Sequence, residues 1–111
     1  MDVNEDRLNS FMGKMIGDVG AAMSASLVLL GDKLGLYKAL AEGGPMDPAT
    51  LAQATGTSER YIREWLSAQA ASGYVEYDSA TGKFSMLPEQ ILALADEDSP
   101  VFLEKTVWRI I

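Results

Sequence analysis

Two groups of side chains in this sequence have the types and spacing to do chemistry or to hold a charged partner. Arg60 and Arg63 stand three residues apart in a segment of helical pattern, and Lys83 follows in a segment of alternating pattern. Arginines so placed reach phosphates or guanine edges, and a nearby lysine touches the backbone, so these three are the candidate DNA contacts. The surrounding charge argues against that use. Arg60 and Arg63 are interleaved with Glu59 and Glu64, and residues 45–95 hold three basic against six acidic groups, which would repel a duplex. The second group is Asp96, Glu97 and Asp98. Consecutive carboxylates without the glycine pattern of a calcium loop read as solvated charge, so no metal ligand is assigned. No catalytic residue is assigned either. The chain has neither cysteine nor histidine, and no carboxylate sits in an apolar stretch that would raise its pKa.

Composition sets the scale on which any such group must be positioned. The 111 residues are the size of one ordinary domain, and 48% hydrophobic with 23% charged residues is a globular balance. A net charge of −7 is opposite in sign to a nucleic-acid footprint. The acidic start, MDVNEDRLNS, lacks the basic and apolar regions of an export signal, which points to a cytoplasmic protein. The longest uncharged run, Val19 to Gly31, falls short of the roughly 20 residues needed to cross a bilayer, so it reads as a buried helix and not as a membrane span.

The elements follow from periodicity and punctuation. From Asn4 to Leu40 the pattern is helical with a break near Gly35. Leu8, Met12, Met15, Val19, Met23, Leu27, Leu30 and Leu34 recur every three or four residues, and Phe11, Ile16, Val28 and Leu29 widen that face. A helix this apolar needs cover on every side. Met12, Met15 and Met23 suit core packing, while Gly17, Gly20 and the neighbouring alanines and serines would let a second helix come close. Pairing about a two-fold axis hides such a surface. Phe11, Met12, Met15, Ile16, Val19, Met23, Leu27 and Leu30 are therefore the candidate dimer interface.

Gly43 and Gly44 stop the preceding helix, and Asp47-Pro48 is a cap followed by proline at the first helical position. That helix turns Leu51 and Ala54 inward and ends at Thr55-Gly56. Thr57 or Ser58 caps the next, whose inward positions are Ile62, Trp65, Leu66 and Ala70, with Trp65 expected between helix and hairpin. Tyr61, Tyr74 and Tyr77 are expected half-buried with wet hydroxyls. Strands are expected over Tyr74 to Asp78 and Lys83 to Leu87, then a helix from Pro88 to Ala95 and a last helix from Val101 to Ile111. Helix, turn, helix and β-hairpin in that order is the winged helix-turn-helix plan. The fold class is mainly α, with a long N-terminal helix and one hairpin. The expected divisions are 1–44 (dimerisation helices), 45–95 (winged helix-turn-helix) and 96–111 (start of a linker helix), all in one structural unit. The apolar ending, Val107 to Ile111, suggests the front part of a longer protein.

The stretch LAQATGTSERYIREWLSAQAASGYVEYDSATGKFSMLPEQILALADEDSPVFL, above all TGTSERYIREWL, AASGYVEYD and LADEDSP, resembles the N-terminal winged-helix domain of bacterial class I S-adenosylmethionine-dependent methyltransferases. Some of these carry the label of transcriptional regulator. GAAMSASLVLLGDKLGLYKALAEGGPM is similar to the helical lead-in of that family. The resemblance implies a domain that forms a homodimer through its helices and covers the substrate pocket, ahead of a Rossmann-like domain that binds S-adenosylmethionine. Phe11, Met12 and Met15 are then the candidates to line the pocket of a small-molecule substrate. The cofactor domain is not in this sequence. The only adjacent glycines, Gly43 and Gly44, have no strand before them, so no cofactor-binding residue and no activity are assigned to this chain alone. The alternative is a winged-helix transcriptional regulator reading DNA through Arg60, Arg63 and Lys83. A third reading is a module that binds a small hydrophobic ligand in the dimer seam.

Overall fold

The computed structural model describes residues 1–106. Helix α1 (Glu5–Lys33) is capped by Asn4, whose side chain accepts from the Arg7 amide at 3.0 Å. Gly35 ends it with φ of 71°, a left-handed turn that reverses the chain into α2 (Leu36–Gly43). Asp47 caps α3 (Pro48–Thr55) by accepting from the Thr50 amide at 2.8 Å, and Gly56 at φ 66° makes the tight turn toward α4 (Glu59–Ala71). Strands β1 (Glu76–Asp78) and β2 (Lys83–Ser85) pair antiparallel with Tyr77 opposite Phe84. Then come α5 (Pro88–Leu94) and α6 (Leu103–Thr106).

One core serves α2 to α5 and the hairpin, with the C-terminal end of α1 packed against it. α2 places Leu36, Tyr37 and Leu40 on one face, α4 opposes it with Ile62, Trp65 and Leu66, and all six are buried. Phe84 closes the hairpin side. Its backbone exchanges two hydrogen bonds with Met46, at 2.8 and 3.0 Å, which ties the segment before α3 to β2.

Several expectations are corrected. The first helix is not buried: within α1 only Gly31 is, because the small core reaches only the C-terminal end of the helix. Met12, Met15 and Met23 are accordingly exposed and are not core filler. Trp65 packs on α1 and α2, not between α4 and the hairpin. In α3 Ala52 turns inward beside Leu51, while Ala54 faces out, since Pro48, Leu51 and Ala52 share one helical face.

The remaining differences lie at element ends. Both strands are shorter than expected. The amides of Tyr74 and Val75 donate back to the Gln69 carbonyl, finishing α4, and the Leu87 amide donates to Gln90 Oε1, starting α5. Ser58 occupies the N-cap position of α4 without a side-chain bond, whereas Thr57 Oγ1 lies 2.8 Å from Thr55 Oγ1. The last helix begins at Leu103, after the Val101 amide donates to Ser99 Oγ at 3.2 Å. Its expected continuation, with the apolar run from Val107, lies outside the described residues.

Candidate functional site

The core holds α1 at one point. Trp65, 1% exposed, donates its indole N–H to the Leu27 carbonyl at 2.9 Å, and its ring meets Tyr37 edge-on with centroids 5.1 Å apart. Gly31 makes this approach possible. A Cβ there would stand 2.3 Å from Trp65 Cζ2 and 2.8 Å from Tyr37 Cε2. Behind the pair, the Tyr37 hydroxyl donates to Oε1 of buried Gln69. Burial pushes the Tyr37 hydroxyl well above its ordinary pKa, with Tyr74 and Asp32 adding to the rise. The sequence reading missed both Gln69 and Gly31. Gln69 stands one turn after Trp65 and Leu66, and that spacing was the available signal.

Beyond this clamp α1 runs into solvent. Leu27 and Leu30 are half-buried, but Phe11 (61% exposed), Ile16 (64%) and Met23 (64%) are open, as are Met12, Met15 and Val19. Leu8, Met12, Ile16, Val19 and Met23 follow one side of the helix at intervals of three or four residues, so the exposed apolar surface is continuous. Lys14 and Asp18, paired at 2.6 Å, fall on the opposite side. By length and composition α1 also qualifies to cross a membrane. Asp18 stands beside its midpoint, Val19, however, and such a group costs about 2.5–3.5 kcal/mol at the centre of a bilayer.

The candidate DNA contacts are held differently. Arg60, Arg63 and Lys83 are all exposed, but Arg63 is paired with Glu59 at 2.9 Å, and Lys83 stands opposite Asp78 in the hairpin. The acidic triplet does not converge. Asp96 Oδ1 accepts from the Asp98 amide at 3.0 Å, and Glu97 pairs with Lys38, whose pKa that hydrogen bond raises. Among the described residues no three acidic side chains gather as a metal site requires. Tyr74 and Tyr77 are exposed, whereas the Tyr61 hydroxyl is buried without a hydrogen-bond partner among the described residues, and burial raises its pKa.

Helix, turn, helix and hairpin around a single core define a winged helix-turn-helix domain. Residues 21–95 match the family described as the Rv2258c-like winged HTH domain, and the chain belongs to that family. No curated protein matches the sequence significantly. Among solved structures it is similar to the mitomycin 7-O-methyltransferase MmcR, with 23% identity and a TM-score of 0.70 over 95% of this chain and 32% of that one. Human N-acetylserotonin methyltransferase in complex with SAM gives 19% identity and a TM-score of 0.68, over 98% of this chain and 33% of that one. CalO1, a methyltransferase in calicheamicin biosynthesis in its SAH-bound form, gives 31% identity and a TM-score of 0.57, over 91% and 27%. The chain thus spans about a third or less of each of these enzymes. The resemblance noted from TGTSERYIREWL and AASGYVEYD holds at the level of family and fold.

Proposed function

We propose that this domain is the dimerisation and substrate-covering module of an S-adenosylmethionine-dependent methyltransferase and is not catalytic by itself. The observation that carries the reading is the exposed apolar length of α1, with Phe11, Ile16 and Met23 in the open while Gly31 is its one buried residue. A continuous apolar face beyond a few hundred Å2 marks an interaction surface, and a second copy offers an equal face by symmetry. The solved structures add the setting. They are methyltransferases, two of them holding SAM or SAH, in which a domain of this fold makes up about a third or less of the chain.

In this reading Phe11, Met12, Met15, Ile16, Val19 and Met23 meet the partner helix, with Leu27 and Leu30 at the inner end of the seam. Phe11, Met12 and Met15 form the apolar wall over a small-molecule methyl acceptor. The cofactor binds in a domain outside these residues. Sedimentation of the wild-type chain and an Ile16→Asp, Met23→Asp variant tests the pairing. The wild type sediments as a dimer and the variant as a folded monomer. A wild type that stays monomeric at high micromolar concentration defeats the proposal. No observation favours the DNA-reading alternative.

A further inference from the structure

A second surface takes no part in that reading. Arg63 and Ser67 stand two positions before and after Trp65, about 160° round α4 from the contact with α1. There they border a cleft of about 430 Å3 between α4 and the hairpin, a size that suits a small ligand. Its apolar walls are Pro48, Ala70 and the rings of Tyr77 and Phe84, which lie 4.8 Å apart at a tilt of 43°. Phe84 and Pro48 are buried, so that side of the cleft is fixed; Tyr77 is exposed and forms its rim.

The polar groups are few and of a defined kind. Arg63 gives one donor, Nη2, to Glu59, and a guanidinium carries five, so the others remain for a ligand. The Ser67 hydroxyl donates to the Arg63 carbonyl at 2.8 Å and so offers the cleft only its lone pairs. Lys83 does not line the cleft, and the carboxylate of Glu59 offsets Arg63, so there is little long-range attraction for a polyanion. What remains is a directed, planar donor fork beside two aromatic rings.

We propose that this cleft binds a small planar aromatic carboxylate, its ring against Phe84 and Tyr77 and its carboxylate on Arg63. The site stands on the flank of α4 away from α1, so it survives or fails independently of the dimer. Benzoate is the probe, added to the full chain while the Ser67 and Gly82 amide resonances are followed. Both shift saturably, and Arg63→Gln weakens binding about tenfold or more. Tyr77→Ala, at an exposed position, weakens it several-fold in a domain that remains folded, and Arg60→Gln on the same helix leaves it unchanged. The proposal is overturned by any of three results: benzamide binding as tightly as benzoate, an Arg63→Gln variant of wild-type affinity, or no saturable shift below about 10 mM.

Discussion

Trp65 reaches back 38 residues in the sequence to hydrogen-bond the main-chain carbonyl of Leu27, and this contact lies one helical turn from Gly31, the one buried residue of α1. The long helix is therefore fixed to the domain near its C-terminal end and free along the rest. The same clamp gives glycine-to-alanine changes in α1 opposite signs.

At Gly31 an added Cβ meets two buried rings at 2.3 and 2.8 Å, neither of which is a flexible chain end. Gly31→Ala destabilises the domain by about 1–3 kcal/mol, since overpacking outweighs the gain in helix propensity. At Gly13 a Cβ meets nothing within 4 Å. Gly13→Ala stabilises by up to about 1 kcal/mol. Urea midpoints of the two variants decide the matter, and equal shifts would remove the clamp from the account.

The buried Tyr37–Gln69 pair makes a second prediction. Gln69→Leu leaves the Tyr37 hydroxyl buried without its acceptor and costs about 1–3 kcal/mol. Combining it with Tyr37→Phe removes both partners, so the double variant is more stable than Gln69→Leu alone. Additive losses in the double-mutant cycle would show that the two side chains do not act as a pair.

Tyr37 also sets a pH dependence. Its folded pKa lies above the ordinary value of 10.0, chiefly through burial, so at high pH the unfolded chain gives up this proton first. The stability it contributes is complete below pH 10 and is lost as pH rises beyond it, with a slope of up to about 1.4 kcal/mol per pH unit for one proton. Tyr61 is raised by burial in the same direction. Melting temperatures between pH 9 and 11 fall less steeply in Tyr37→Phe than in the wild type, and parallel curves would contradict this.

Much of this architecture is legible in short-range chemistry. Asp47 with Pro48, Gly35, Gly44 and Gly56 announce helix ends by local geometry, and the alternation around Tyr77 and Phe84 announces the hairpin. What the sequence conceals depends on distant residues. Periodicity shows that α1 has an apolar face, but only the placement of Trp65 and Tyr37 at Gly31 decides that the cover stops there. Gln69 reads as a surface residue until Tyr37, 32 positions earlier, is brought beside it. Arg63 is visible as a cation, but its cleft needs Phe84 and Tyr77 from the far side of a turn. The dimer candidates were identifiable because exposed and buried apolar faces share one pattern, and for the same reason their exposure was not.

A winged helix presents α4 and the hairpin to DNA when it reads a duplex. Here Arg63 is engaged by Glu59, Lys83 faces Asp78, and residues 45–95 carry three positive charges against six negative. Counterion release scales with the phosphates neutralised, so three partly offset cations per chain give weak and steeply salt-dependent binding at most. Gel shifts at low salt are expected to be absent for the wild type, and Glu59→Gln, which releases Arg63 from its ion pair, is expected to increase any residual shift. A sequence-selective wild-type shift at physiological salt that Arg60→Glu and Arg63→Glu abolish would reverse the ranking of the two readings and assign α4 to DNA.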